Sequence, residues 1–258
     1  MSINLLHYFL ATELSALFLI FCRIGAAMMV MPGFGETYVP SRIRLLFALL
    51  FSLLLTPLMM NKMPPMPANA FPLLLMMGEE ITIGLFLGLM VHGLTTVMHV
   101  GGNIIASQSS LAVGAIFDPN SGAQSPIISN MMGVTAITLF FVLDLHHLVL
   151  AALVQSYEIF SPGHFLPTGD MAHLNIRWMA DAFSLGALLA APHIIFSLLF
   201  YLLGGLMTRL MPNFQIFFIL IAPQVVIGIL IFLAIIPMIF DLYINFFENH
   251  LRDFLAMG

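Results

Sequence analysis

The sequence predicts an all-α integral membrane protein with about six hydrophobic helical segments, several of them interrupted. Two observations predict this fold class. Of the 258 residues, 61% are hydrophobic and 7% are charged, whereas a soluble domain needs roughly 25% charged residues to solvate its surface. The apolar residues also form continuous runs, such as LLFALLFSLLL, that lack the alternation of a membrane β-strand. Helices are expected, because backbone polar groups in lipid must bond within their own segment.

The spans are predicted from apolar runs of about 20 residues, the length that crosses a bilayer. The fourth run continues toward Phe160. The six runs are Phe9 to Met31, Ile43 to Met60, Phe71 to Val91, Ile127 to Leu143, Phe183 to Met207 and Phe214 to Phe240.

The connectors between these runs are predicted from proline, glycine and polar residues. Residues Pro32 to Arg42 hold two prolines and two glycines and cannot form one continuous helix. Residues Asn61 to Phe71 are expected to form a stiff extended link, and Ser161 to Arg177 an aqueous loop. The last connector, Arg209 to Phe214, is so short that the final two helices should form a tight antiparallel hairpin.

Charge excludes one class of partner and leaves orientation open. The net charge is −5 with seven Lys or Arg, so the sequence lacks the clustered cations that nucleic-acid phosphates require. The positive-inside rule does not choose an orientation, because the cations of the connectors and the C-terminal end divide evenly between the two sides. These are Arg42, Arg44 and Arg209 on one side and Lys62, Arg177 and Arg252 on the other.

Several charged residues fit lipid badly and are predicted to serve assembly or buried protein contacts. A charge at the bilayer centre costs about 2.5–3.5 kcal/mol on insertion scales, so such residues usually face protein or a water-filled cavity. The alternative is that some lie near helix ends and extend to the interface. The predicted set is Arg23, Arg42, Arg44, Glu79, Glu80 and Asp144. The last two spans are interrupted by Pro192, His193, Pro223, Gln224 and Pro237.

Small residues in the third span predict close helix packing. Gly84 and Gly88 form the sequence GLFLG. Glycines four residues apart lie on one helix face and let a second helix backbone approach closely. Membrane glycines are common, so the motif by itself indicates a helix contact without identifying the partner.

The central stretch Gly101 to Pro126, GGNIIASQSSLAVGAIFDPNSGAQSP, differs in composition from the rest of the chain. It is rich in Gly, Ser, Asn and Gln, and Asp118 is its single charge. Most connectors are about 4–6 residues long, and this stretch is far longer. We therefore predict that it is a loop able to cross or line a pore, with Gly102 among the glycines that let it bend.

Catalytic motifs are absent from the sequence, so no enzyme activity and no cofactor are expected. There is no phosphate-binding Gly-rich loop with Lys, no HExxH, no GxSxG and no CxxC. Asp144, His146 and His147 suggest a metal at first sight. Adjacent histidines diverge by about 100° on a helix, and no second cluster of ligands is evident, so an interfacial helix end is the preferred interpretation and no metal is predicted.

Five stretches together resemble the FliR/SpaR/YscT/HrcT family of type III export-apparatus subunits, and most closely its flagellar members. The resemblance covers essentially the whole chain, and the order of the stretches is what makes it specific. They are CRIGAAMMVMPGFGETYVPSRIRLLFALLFSLLLTP, GEEITIGLFLGLM, SQSSLAVGAIFDPNSGAQSP, LFFVLDLHHLVLAAL and MPNFQIFFILIAP.

The resemblance implies a fold, a location and partners. Residues 1–177 would form a FliP-like part that includes a central plug loop over 101–126, and residues 178–258 a FliQ-like C-terminal helical hairpin. The subunit would join FliP and FliQ in a hetero-oligomeric helical gate, with FlhB and FlhA nearby, in the bacterial inner membrane at the flagellar basal body. That gate would conduct unfolded flagellar proteins, and the subunit would be a non-enzymatic, multi-pass channel component.

The resemblance also implies which residues form the plug. The matching positions are Ser110, Leu111, Gly114, Ile116, Phe117, Asp118, Pro119, Asn120, Gly122 and Gln124. Near the turn of the last hairpin the family usually has Pro-Gln-x-Asn, whereas this chain has Pro-Asn-Phe-Gln at residues 212–215. A family role for the polar residues of that turn is therefore not carried over.

A stand-alone proton-coupled transporter is the alternative function. Glu79, Glu80 and Asp144 would form its proton relay, since ionisable residues within membrane spans often carry protons. Such transporters tend to have inverted repeats with matched broken helices, and no matched pair is visible in this sequence.

Overall fold

A computed structural model of the chain describes residues 2–65, 67, 69–111, 127–163, 168–211 and 216–256, with backbone alone for residues 2–11 and 216–218. Within that part of the chain the regular structure is helical, which confirms the predicted class. A 3₁₀ turn at Met60–Lys62 follows the second helix. The helices are α1 (Ser2–Val30), α2 (Ser41–Met59), α3 (Ala70–Gln108), α4 (Ile127–Val142), α5 (Leu145–Ile159), α6 (Thr168–Leu189), α7 (Ala191–Leu210) and α8 (Ile216–Leu255).

The number of membrane spans agrees with the prediction of about six. Five described helices, namely α1, α2, α3, α7 and α8, are long and apolar enough to cross a membrane, and the count reaches six if α4 and α5 form one bent span. The fourth predicted span is broken at the point where its polar residues lie. Asp144, between the two helices, has a φ of 57°, a left-handed conformation that a regular helix does not contain.

The chain divides by its contacts into two compact units. The first, here the N-terminal unit, comprises Met1–Gly93, Asp144–Met179 and His250–Gly258. The second, here the hairpin unit, comprises Leu94–Leu143 and Ala180–Asn249. The predicted division at residue 177 concerns likeness to two other proteins, which these units do not test, so it stays a prediction.

The connector between α1 and α2 interrupts the helix, as its prolines and glycines predicted. Gly33 has a φ of 80°, which suits a residue without a Cβ atom. Arg44, in the first turn of α2, donates to the carbonyl oxygens of Gly35 (3.3 Å), Glu36 (3.0 Å) and Val39 (2.9 Å). One guanidinium therefore holds the connector in a folded turn against the start of α2.

The predicted start of the central loop is wrong. Residues 101–108 are helical, because α3 continues to Gln108. A Cβ atom on Gly101 would lie 3.2 Å from the carbonyl oxygen of Gly186, and one on Gly102 would lie 2.6 Å from the Cα atom of Ser129. Both glycines therefore serve close helix packing, and Gly102 does not provide a bend. Glu79 and Glu80 also lie inside α3, and the helix continues through them without a break.

Two predicted boundaries around α6 and α7 are also wrong. The aqueous loop predicted over Ser161–Arg177 is helical from Thr168 onward. Met171 and Trp178, two helical turns apart, are each 5% exposed, so this stretch has a buried face that its polar composition hides. The predicted fifth span from Phe183 to Met207 breaks at Ala190, because Pro192 occupies the first turn of α7, where the missing N–H is tolerated.

The last helix extends beyond its predicted end at Phe240 and runs without a break through Pro223 and Pro237 to Leu255. In membranes, such prolines are tolerated where neighbouring groups satisfy the freed backbone. Within the hairpin unit, α7 and α8 pack in antiparallel order. The Nε2 atom of His193 lies 3.1 Å from the carbonyl oxygen of Gly228, and farther along α7 a Cβ atom on Gly204 would lie 2.7 Å from Leu220.

Candidate functional site

A fully buried arginine lies in the middle of α1. Arg23 is 0% exposed, and Glu80 of α3 is 2% exposed. The Arg23 Nε atom donates to Oε2 of Glu80 at 2.6 Å, and Nη2 donates to Oε1 at 3.0 Å. This two-bond geometry matches the planar guanidinium to the planar carboxylate, the strongest arrangement for such a pair.

Two further N–H donors of Arg23 are also used. Its Nη1 atom donates to the hydroxyl of Ser156 at 3.1 Å, and Nη2 donates to the carbonyl oxygen of Phe160 at 2.9 Å. Its guanidinium carbon lies 3.9 Å from the ring centroid of Tyr157. A buried ion pair is tolerated only when its hydrogen bonds are satisfied. These five residues, hereafter the Arg23 cluster, therefore join α1, α3 and the C-terminal end of α5.

The glycines of α3 make this approach possible. A Cβ atom on Gly84 would lie 2.1 Å from the carbonyl oxygen of Arg23, and one on Gly88 would lie 2.8 Å from that of Ala27. Glu80, Gly84 and Gly88 are four residues apart and share one face of the helix. A larger residue at Gly84 would push α3 from α1 and lengthen the bonds of the Arg23 cluster.

The other predicted charged residues lie elsewhere. Arg42 is exposed and Glu79 is half-buried. Arg44 holds the α1–α2 connector. Asp144 is 72% exposed, with Oδ1 3.6 Å from Nδ1 of His147. Of the six predicted charged residues, the structure brings together Arg23 and Glu80.

Asp144, His146 and His147 approach one another, contrary to the expectation that adjacent histidines diverge. The His146 and His147 ring centroids are 4.2 Å apart, and one ligand atom from each of the three side chains lies within 4.8 Å of the others. Asp144 is left-handed and directly precedes α5, so the cluster lies at the start of that helix. Among the described residues, this is the cluster that could hold a metal ion, but it offers three ligands, of which His146 is half-buried, whereas structural zinc sites use four.

Only the first part of the predicted plug lies within the described residues. Ser110 is 8% exposed and has a φ of 55°. Leu111 is half-buried. The other predicted plug residues lie outside the described part of the chain, and these are Gly114, Ile116, Phe117, Asp118, Pro119, Asn120, Gly122 and Gln124.

A second buried polar cluster lies in the hairpin unit. Gln224 of α8 donates through Nε2 to the carbonyl oxygen of Gln108 at 2.8 Å and to the hydroxyl of Tyr201 at 3.2 Å. The hydroxyl of Ser197 donates to Oε1 of Gln108. We call Gln108, Ser197, Tyr201 and Gln224 the Gln224 cluster.

Sequence reasoning found one or two members of each cluster and missed the others. Arg23, Glu80 and Gln224 were recognisable as polar residues in apolar runs. Ser156, Tyr157, Ser197 and Tyr201 carry no such signal, because serine and tyrosine are ordinary in membrane helices. Only tertiary contact identifies them.

The fold and the two buried polar clusters define a multi-span helical membrane protein whose helices are joined by specific side-chain contacts. The family model of bacterial export proteins, family 1, matches residues 14–250. The chain belongs to this family, which confirms the predicted family.

Relatives share most of the chain. The flagellar biosynthetic protein FliR of Caulobacter vibrioides is 40% identical over 211 residues, which cover 82% of this chain and 84% of the relative. The protein of the same name from Bacillus subtilis is 25% identical over 248 residues, or 94% and 95%. The Yop proteins translocation protein T of Yersinia pestis is 26% identical over 156 residues, or 60% of each chain.

Proposed function

We propose that this chain is a non-enzymatic structural subunit of the flagellar type III protein-export gate. It helps to form and seal the conduit for unfolded flagellar subunits. The observation that carries the proposal is the family match over residues 14–250, together with 40% identity to a flagellar biosynthetic protein over four-fifths of both chains. Its location would be the bacterial inner membrane, at the flagellar basal body.

The proposed partners are FliP and FliQ in a hetero-oligomeric gate, with FlhB and FlhA nearby. The exposed apolar surface of the hairpin unit supports partners of this kind. Only 17% of the most apolar window is buried in α7, and the same share in α8, against 67% in α3. Such surfaces require lipid or apolar protein around them, and a gate built from similar helices supplies both.

The Arg23 cluster has a structural role in this proposal. An unpaired arginine in lipid costs at least about 2.5 kcal/mol. Pairing with Glu80 offsets part of that cost and fixes which faces of α1 and α3 meet. We assign the cluster to holding the N-terminal unit in the form that partners recognise.

The plug is the finer part of the proposal. Residues 110–124 are assigned to sealing the conduit, by resemblance and by their small, nearly uncharged composition. The buried Ser110 supports a fixed starting point for that segment, since it is only 8% exposed.

Co-expression with FliP and FliQ tests the gate proposal. We expect the chain to co-purify with both partners in one complex, whose mass gives the stoichiometry. A chain that purifies alone and moves a solute in liposomes contradicts the proposal.

Deleting residues 112–124 tests the plug while keeping Ser110 and Leu111, the two plug residues that the structure describes. The deletion should leave assembly intact and make the complex conduct small ions. A deleted complex that is as tight to ions as the wild type contradicts the plug assignment.

The transporter alternative gains no support from the geometry. Glu80 is bound at both carboxylate oxygens by Arg23, and Asp144 is 72% exposed. A proton relay needs acidic groups that exchange protons with one another, and neither side chain has the surroundings for that.

A further inference from the structure

Gln224 is buried in one of the most apolar stretches of the chain. Its exposed fraction is 2%, and it lies in a run of Ile, Leu, Val and Phe. A buried amide without partners is costly in an apolar environment. Here the amide nitrogen donates to Gln108 at 2.8 Å and to Tyr201 at 3.2 Å, so the position of Gln224 depends on these partners.

The bond to Gln108 satisfies a helix end. Gln108 is the last residue of α3, and the last four carbonyl groups of a helix lack partners within it. The carbonyl of Ile105 accepts from the backbone of Ser109 at 2.9 Å, and that of Ser107 accepts from Ser110 at 3.3 Å. The carbonyl of Gln108 accepts from the side chain of Gln224. A residue distant in sequence thus caps α3.

The end of α3 is held at two further points. The hydroxyl of Ser197, itself 2% exposed, donates to the Gln108 side chain. Ser109 packs directly on α8, where a Cβ atom on Gly228 would lie 2.6 Å from the Ser109 Cβ atom. Ser110 then turns left-handed, with a φ of 55°, which ends the helix as a glycine or asparagine often does.

We propose that Gln224 is a positioning residue, which caps α3 from the C-terminal hairpin and fixes the point where the central segment begins. Ser197 and Gly228 support the same contact. This inference deepens the proposed function and rests on it where the central segment is taken as the plug. It implies that a displacement of α7 and α8 would be transmitted directly to the start of that segment.

The test measures amide hydrogen exchange at Ser109 and Ser110 in the complex with FliP and FliQ, held in lipid nanodiscs. Replacing Gln224→Met keeps the length and removes the donor. Exchange at these two amides should become about fivefold faster, the effect of losing one buried hydrogen bond of average strength. If the amides of Ser109 and Ser110 exchange at the wild-type rate in this variant, the inference is wrong.

A steric variant tests the same contact without touching a hydrogen-bonding side chain. Gly228→Ala places a methyl group against Ser109 and should also accelerate exchange at Ser109 and Ser110. Gly205→Ala is the matched control, because nothing lies within 4 Å of its added Cβ atom, and it should leave exchange unchanged. Equal rates in both alanine variants overturn the inference, and so decide it even if Gln224→Met fails to assemble.

Ion conductance of the same complexes separates this inference from the plug proposal. Faster exchange together with increased conductance supports both. Faster exchange with wild-type conductance supports the positioning role of Gln224 and contradicts the assignment of the central segment as the plug. Wild-type exchange overturns the positioning role whatever the conductance.

Discussion

The Arg23 cluster and the Gln224 cluster stabilise buried polar groups by different chemistry. Both bury polar groups among apolar helices, and both bring together residues far apart in sequence, 57 positions for Arg23 and Glu80 and 116 for Gln108 and Gln224. The Arg23 cluster uses opposite charges joined by two bonds. The Gln224 cluster uses neutral amide and hydroxyl groups.

This difference determines how easily each contact can open. Separating a buried charge pair leaves an uncompensated charge, which costs about 3–5 kcal/mol. Breaking a neutral hydrogen bond between membrane helices costs about 0.6–2 kcal/mol. The Arg23 cluster should therefore be the harder of the two contacts to open, and the Gln224 cluster the easier.

Removing the acid of the charged pair should have the largest effect. Glu80→Met leaves Arg23 buried without its partner and should lower the free energy of unfolding by about 3–5 kcal/mol. The measurement is a denaturant titration of the purified protein in detergent, followed by helical circular dichroism. Glu79→Met, at a half-buried residue on the same helix, is the matched control and should change stability far less.

The double variant Arg23→Met with Glu80→Met sharpens this result. It removes both charges together, so most of the stability lost in Glu80→Met should return. A double variant as unstable as the single one shows that the damage comes from packing, and contradicts the assignment to an unpaired charge.

Separating the helices that carry the charged pair should have the next largest effect. Gly84→Ala places a methyl group 2.1 Å from the backbone oxygen of Arg23, and overpacking of this kind costs about 1–3 kcal/mol. Gly78→Ala on the same helix meets nothing within 4 Å. The same titration should show a loss for the first variant and none for the second, so equal stabilities would count against tight α1–α3 packing.

The neutral cluster should respond more weakly. Ser197→Ala removes the hydroxyl that donates to Gln108 and should cost about 0.6 kcal/mol, the average for hydrogen bonds between membrane helices. Thr208→Val is the control, because the described bond of that hydroxyl stays within its own helix, at the Gly205 carbonyl. A loss of about 3 kcal/mol or more in Ser197→Ala would erase the distinction between the two clusters.

Removing an exposed ion pair should have the smallest effect on stability. Lys62 pairs with Glu158, and their side chains are 35% and 49% exposed. Water and salt screen such pairs, so Lys62→Met should change the free energy of unfolding by less than about 1 kcal/mol. Titrations at low and high salt should also give this variant a smaller salt dependence than the wild type. A loss of stability in Lys62→Met as large as that in Glu80→Met would show that burial does not explain the difference between the two ion pairs.

Glycine positions show where sequence reasoning succeeds and where it stops. The spacing of Gly84 and Gly88 predicts a close helix contact, and both glycines lie against α1. Gly101 and Gly102 were assigned to a loop, yet they are helical and packed. A glycine has the same sequence signal whether it permits a bend or a close approach, and only the neighbouring backbone distinguishes the two.

The sequence by itself determined the class of protein, the approximate spans and the family. These follow from hydropathy and local order, because lipid requires each apolar segment to satisfy its own backbone. The tertiary structure decided which polar residues meet. Arg23 pairs with Glu80 and not with Glu79, and Gln224 donates to the last carbonyl of α3. Which residues meet depends on how each helix is rotated about its axis and how far apart the helices lie. Such contacts depend on distances between segments, which hydrophobic pattern does not encode.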